Sequence, residues 1–290
     1  MSWYKSMPYI AILRPKQWTK NLLVFAALIF SIKIVTFEML LRCIGGFILF
    51  CLVSGCVYVF NDYMDREADG SHPEKRFRPI ASGRLKPNGA LLYGCILLFI
   101  SFLVAYFLDA SFSVLLLGYF IINVAYSIKL KQVVIIDIMV IAFGFVLRAI
   151  GGGLVINIPF TPWFLICTML LALFLAISKR RHELYLLSES KGEHRKVLEQ
   201  YSPELLNQLN SIVTTAAIMS YSLFTFTSGH TVHLMWTIPL VMYGIFRYLY
   251  LIHMEGKGGR PEEVLLEDNH ILFTVILFAV MIVTILYYFE

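Results

Sequence analysis

Asn61, Asp62, Asp65 and Asp69 fall within the run N-D-Y-M-D-R-E-A-D, where an apolar stretch gives way to polar sequence. At about 100° of rotation per residue they project at roughly 0, 100, 40 and 80°, so a helix through this run gathers three carboxylates and an amide on one narrow face. Like charges at that spacing repel one another. A divalent cation would relieve the repulsion, and a ligand set made only of oxygens suits magnesium. The basic residues Lys75, Arg76 and Arg78 follow within H-P-E-K-R-F-R-P-I-A-S-G. Such a sequel suits a metal-bound phosphate or diphosphate better than a bare metal store. The plain alternative is a solvated helix end beside a basic loop.

The elements that carry this run must be membrane helices. In 290 residues, 59% are hydrophobic and 15% charged, and the mean hydropathy is +0.74, which leaves too few polar groups to cover a soluble globule. Apolar stretches lie near 22–37, 40–60, 90–108, 112–128, 133–154, 162–177, 210–228, 232–252 and 271–289. Each is close to the length that crosses about 30 Å of hydrocarbon. Lys33 interrupts the first and the sixth is short; Trp18, Trp163 and snorkelling side chains can complete them. The fold class expected is therefore an all-α membrane protein with nine transmembrane helices, forming a single domain over residues 1–290.

With these boundaries, 20 of the 24 lysines and arginines fall at the N-terminus and in the second, fourth, sixth and eighth loops. Positive charge accumulates in cytoplasmic loops, so the N-terminus is expected inside, the C-terminus outside and the acidic run at the cytoplasmic surface. The first apolar run shows no small-residue cleavage pattern, and no cleavable signal peptide is expected. Residues 3–18 mix aromatic, apolar and basic side chains and suit either the membrane interface or an ordinary loop. The five cysteines have no C-x-x-C spacing, so they read as small apolar side chains rather than a zinc site or a disulfide framework.

Two loops are long, near 61–89 and 179–209, but the second opens S-K-R-R-H-E-L and is basic where the first is acidic. Outside the first cluster the aspartates Asp109, Asp137 and Asp268 are widely separated, so a second aspartate-rich metal site is not expected. Glu183, Glu189, Glu193 and Glu199 read as partners of neighbouring Lys and Arg side chains. Asn123 and Tyr126 share a helix face, with Lys129 and Lys131 just beyond. Arg247 lies about 9 Å inside its span, a depth at which a charge faces the bundle interior. Asp137 and Arg148 share a face but stand about 16 Å apart along the axis, so each needs another partner, and Arg148 reads as structural. Gly45, Gly46 and Gly151 to Gly153 read as points of close helix packing or breaks.

On these residues the chain resembles the UbiA superfamily of intramembrane prenyltransferases, whose members have nine transmembrane helices and an N-D-x-x-D-x-x-x-D motif. The match runs through Asn61, Asp62, Asp65 and Asp69, continues in R-P-I-A-S-G from Arg78, and covers essentially the whole chain. Within the superfamily it is most similar to the phosphoribosyltransferase branch. The segments that carry this are L-R-P-K-Q-W-T-K-N at 13–21, H-P-E-K-R-F-R-P-I-A-S-G at 72–83, Y-S-I-K-L-K at 126–131 and P-E-E-V-L-L-E-D at 261–268. K-R-R-H-E stands where the aromatic prenyltransferases carry a second D-x-x-x-D.

The resemblance implies Mg2+ held by Asn61, Asp62, Asp65 and Asp69, the three aspartates being catalytic. It implies phosphoribosyl pyrophosphate as donor and a polyprenyl phosphate, drawn from the membrane lipid, as acceptor, with a product used for cell-envelope glycolipid synthesis. Lys75, Arg76 and Arg78 are assigned to the donor phosphates, with Tyr126, Lys131 and Lys179 as further donor contacts. Lys20, Arg181 and Arg247 are candidates for the acceptor phosphate or the 5-phosphate. The implied location is the bacterial inner membrane, with the site facing the cytoplasm and no nucleic-acid partner. Rival expectations are an aromatic prenyltransferase and a multi-span transporter, the latter disfavoured because the acidic cluster lies at a membrane surface rather than mid-bilayer.

Overall fold

The computed structural model describes residues 7–31, 35–71, 75–159, 161–189, 196–256, 264 and 267–289, and no strand occurs among them. Eight of its helices are long and apolar enough to cross a membrane. They are α1 (Phe37–Met64), α2 (Pro87–Leu108), α3 (Ala110–Ile128), α4 (Ile136–Ile156), α5 (Pro162–Glu189), α6 (Pro203–Thr227), α7 (Ile238–Met254), whose span begins with the 3-10 turn Val232–Thr237, and α8 (Asn269–Phe289). Local chemistry sets their starts. Thr36 caps α1 by accepting from the Met39 N–H at 3.2 Å, and Asp109 caps α3 from the Phe112 N–H at 2.7 Å. Ser202 caps α6 from the Leu205 N–H at 3.1 Å, followed by Pro203, which tolerates the first helical position because it needs no hydrogen bond there.

The expected first span, 22–37, is not formed as one helix. A 3-10 helix, Pro15–Phe25, leads into the short α-helix Ala26–Ile29, and the chain turns at Phe30. The ten residues 22–31 would rise only about 15 Å as an α-helix, and part of their apolar surface packs on protein: Val24, Ala26, Ala27 and Leu28 are buried, whereas Leu22 and Ile29 remain exposed. Lys33 lies outside the described residues.

This segment is wedged against α4. A Cβ on Gly152 would stand 2.1 Å from the Val24 carbonyl oxygen, and one on Gly151 would stand 2.6 Å from the Phe50 ring. The expectation of close packing thus holds at these positions and, more loosely, at Gly46, whose Cβ would meet Val155 at 3.2 Å. A Gly45 Cβ would make only ordinary contact, 3.7 Å from Leu108. Because the obstacle at Gly152 is backbone, Gly152→Ala is expected to destabilise the protein by about 1–3 kcal/mol or more. A thermal melt in detergent that matches wild type would contradict this.

α1 and α4 form the centre, with 61% and 56% of their apolar windows buried, whereas α2 and α3 bury 17% each and present Phe99, Phe107 and Val114 outward. Polar groups brace the centre. Arg148 donates to Asn21 Oδ1 (2.6 Å), the Gly144 carbonyl (2.7 Å) and the Tyr119 hydroxyl (2.7 Å), which joins α4 to the 3-10 segment and α3. At the opposite end from the acidic run, Arg42 donates to the Val155 and Leu108 carbonyls, at 2.5 and 2.8 Å. A cation there complements the negative ends of α4 and α2. Arg148 is structural, as expected, and Asp137 finds a different partner, described below. Cys43, Cys51 and Cys56 pack as buried thiols, Cys167 is half-buried and Cys95 is exposed.

Candidate functional site

The acidic run lies where α1 ends. Met64 closes the helix, Asp65 sits at a break with φ −89° and ψ 6°, and a short helix resumes over Arg66–Ser71. Backbone hydrogen bonds from Asp65 N to the Asn61 carbonyl (2.9 Å) and from Asp69 N to the Asp65 carbonyl (2.8 Å) carry the helical path across that break. Asp62 and Asp69 consequently turn to one side, where they are only 2% and 3% exposed. One nitrogen of Arg78 reaches both, lying 3.2 Å from Asp62 Oδ1 and 2.5 Å from Asp69 Oδ2. Asp65 is partly exposed and lies 3.4 Å from Lys131 Nζ. Asn61 is half-buried at the head of the run.

R-P-I-A-S-G explains how Arg78 is aimed. The Arg78 carbonyl accepts from the Ser82 N–H (2.8 Å) and hydroxyl (2.7 Å), Ile80 is buried, and Gly83 takes φ 74° to close the turn. Arg84 ties the turn to the Phe77 carbonyl at 2.8 Å. Arg14, counted in the cytoplasmic charge and in the family-like segment 13–21 but given no site role from sequence, is the other principal cation: its Nη2 lies 2.5 Å from Asp62 Oδ1 and its guanidinium 4.5 Å from the Tyr58 ring centroid.

The remaining expected site residues divide. Lys75 and Arg76 are exposed on the turn before Arg78, Arg76 lying 4.9 Å over the Phe77 ring. Lys131, in the 3-10 turn Leu130–Gln132, joins the cluster through Asp65. Tyr126 accepts from Arg180 at 3.3 Å, and Lys20 and Lys179 are half-buried. Arg181 donates to Asn207 Oδ1 at 2.7 Å. Arg247 grips Asp268 with two bonds of 3.3 and 2.7 Å, so the structure joins it to the start of α8 rather than to the motif. That hydrogen bond holds the Asp268 carboxyl below its ordinary range. Asn123 turns back to the Tyr119 carbonyl of its own helix at 2.8 Å. His72 to Glu74, residues 1–6, Glu193 and residues 261–263 and 265–266 lie outside the described residues.

A second polar centre braces the base of α4 and α5. Asp137, fully buried, accepts from Arg180 Nε at 2.6 Å and from the Tyr201 hydroxyl at 2.7 Å, and Arg180 also pairs with Glu183. Burial and the Asp137 hydrogen bond push the Tyr201 hydroxyl well above the usual tyrosine range, so it stays a donor. Arg180 was not among the expected site residues. Its signal was indirect: a lone intramembrane aspartate at the start of α4 requires a cation, and K-R-R offers three.

Among the described residues no three His, Cys, Asp or Glu side chains stand together as a ready metal cage. The motif nevertheless fits a hard cation chemically. Its donors are all oxygens, and Asp62 Oδ2 is buried with no hydrogen-bond partner. Binding a metal requires the ion pairs on the remaining oxygens to open.

Residues 22–262 match the UbiA prenyltransferase family. The chain is 32% identical over 274 residues to a decaprenyl-phosphate phosphoribosyltransferase of Mycolicibacterium smegmatis, covering 90% of this chain and 86% of that one. It is 36% identical over 270 residues to the protein of the same name in Corynebacterium glutamicum, covering 90% and 81%. A solved UbiA homologue from Archaeoglobus fulgidus, bound to GPP and Mg2+, shares the fold with a TM-score of 0.72 at 18% identity, over 96% of this chain and 99% of that one.

Proposed function

The chain belongs to the UbiA prenyltransferase family, and from that premise we propose that it transfers 5-phosphoribose from phosphoribosyl pyrophosphate to a polyprenyl phosphate, releasing pyrophosphate. The observation that carries the choice is the charge asymmetry of the two long loops. The first presents Asp62, Asp65 and Asp69, whereas at the start of the second the buried Arg180 is committed to Asp137 and Glu183, flanked by Lys179 and Arg181. One loop is acidic and the other basic in side-chain type, as expected for a single diphosphate donor and a second anionic substrate. The names of the bacterial relatives point the same way.

In this reading Asp62, Asp65, Asp69 and Asn61 would hold magnesium, and the bound ion would supply charge neutralisation for the departing diphosphate. Arg78, Lys75 and Arg76 bind its phosphates, with Lys131, Tyr126 and Lys179 completing the donor site. The acceptor phosphate oxygen forms a bond to the anomeric carbon as the bond to pyrophosphate breaks. That phosphate is already ionised near neutral pH, so no general base is required. The motif carboxylates also face the positive charge that develops on the ribose. Catalysis then rests on positioning and electrostatics. Lys20 and Arg181 are the candidates for the acceptor phosphate or the 5-phosphate; Arg247 would first have to leave Asp268.

The protein is an integral membrane protein, and the concentration of Lys and Arg on one side supports an inner-membrane location with the site facing the cytoplasm. Purified protein offered phosphoribosyl pyrophosphate with polyprenyl phosphate, or polyprenyl diphosphate with hydroxybenzoate, is expected to turn over only the first pair. Product from the second pair alone would overturn the proposal.

A further inference from the structure

Arg14 differs from the other cations of the site in how it is held. Among the described residues it is one of three non-glycine residues with positive φ, at 52°, a backbone region that bulky side chains rarely enter and that clusters at functional sites. That twist, followed by Pro15 with its fixed φ, leaves the guanidinium over Tyr58 and against Asp62 Oδ1. Arg78 shares that same oxygen and spans to Asp69, while Lys131 meets Asp65. Among the described residues, three carboxylates thus pair with three cations. Asp62 Oδ2 is buried and has no hydrogen-bond partner among the described residues.

We propose that Arg14 is an exchangeable counter-ion: it neutralises Asp62 until a metal–diphosphate arrives and then moves to the diphosphate, so that metal and diphosphate bind as a unit. The inference rests on the metal role assigned to the motif. A bare divalent cation entering the cluster adds two positive charges beside three existing ones and strips Arg14 of its partner. A bare diphosphate meets three carboxylates. Either event leaves partly buried charge uncompensated, which is strongly unfavourable. When the two enter together, the metal takes the carboxylate oxygens and the guanidinium fork takes phosphate oxygens, so every charge keeps a partner. The two ligands are then coupled, and the coupling is reciprocal.

Mn2+ serves as the probe, its binding to the full chain in detergent read by electron paramagnetic resonance, both as the bare ion and as a preformed Mn2+–pyrophosphate complex. Wild type is expected to bind the complex at least about tenfold more tightly than the bare ion, within the usual range of coupling between sites. Arg14→Gln should tighten bare Mn2+ and weaken the complex, two opposite shifts that a merely structural role would not produce. Both affinities falling together, or neither changing, would overturn the proposal. Should Arg14→Gln fail to fold, Asp62→Asn frees Arg14 and is expected to bind metal-free pyrophosphate more tightly than wild type; no gain would overturn the proposal equally. Equal wild-type affinity for bare ion and complex removes the coupling alone. Absence of any bound Mn2+ in wild type removes the metal role itself, and the inference with it.

Discussion

Asp62→Asn is expected to lower turnover by about a thousandfold or more, the scale of losing a principal electrostatic contact to a developing charge. The substitution keeps the side chain's size in a site that is 2% exposed but removes the charge that Arg14 and Arg78 share. Asp65→Ala provides the complementary variant. Asp65 is partly exposed and, among the described residues, has Lys131 at 3.4 Å as its charged partner, so its removal should abolish transfer with little effect on the fold. Product formation at saturating donor, measured alongside a thermal melt, separates the two effects. Turnover within tenfold of wild type in either variant, with an unchanged magnesium requirement, would remove these carboxylates from the mechanism.

Arg180→Met is expected to produce the largest stability loss, about 3–5 kcal/mol, because it strands a buried carboxylate. Asp137 is fully buried and Arg180 is 1% exposed, so neither can recover its hydration by a small movement. Among the described residues the Tyr201 hydroxyl would remain as the donor to the aspartate. Adding Asp137→Asn to Arg180→Met should recover much of the loss, since the residue left behind is then neutral. The check is the unfolding temperature of the three variants in the same detergent. A double variant as unstable as the single one would show that the stranded charge is not the cause.

Eight of the nine expected spans were legible because an apolar run of about twenty residues has few alternatives. The first was not, since hydropathy does not distinguish a side chain facing lipid from one facing protein. Val24 and Ala27 are apolar because they pack inside the bundle, and the chain's path there depends on the missing side chain at Gly152. The acidic face was readable from helical angles alone. Across the break at Asp65 the i to i+4 backbone bonds continue, and Asp62 and Asp69 share Arg78 while Asp65 meets Lys131.

The cations were harder to read. Lys179, Arg180 and Arg181 are adjacent, and only the rotation of α5 against α4 decides which of them is buried against Asp137. Arg14 was absorbed into the positive charge expected of any cytoplasmic terminus. Its distinguishing feature, a left-handed backbone before a proline, comes from tertiary packing rather than from residue type. Arg247 shows the reverse case: a deep charge that suggested a substrate contact is held by Asp268 at the start of α8.

The central claim is that the carboxylates at the end of α1 hold the metal that carries the donor's diphosphate. Anomalous scattering from crystals grown with Mn2+ and phosphoribosyl pyrophosphate tests it most directly. The account predicts a manganese peak bonded to Asp62 and its motif neighbours, with the diphosphate bridging from that ion to Arg78. A donor bound elsewhere, with no metal at Asp62, Asp65 or Asp69, would contradict it.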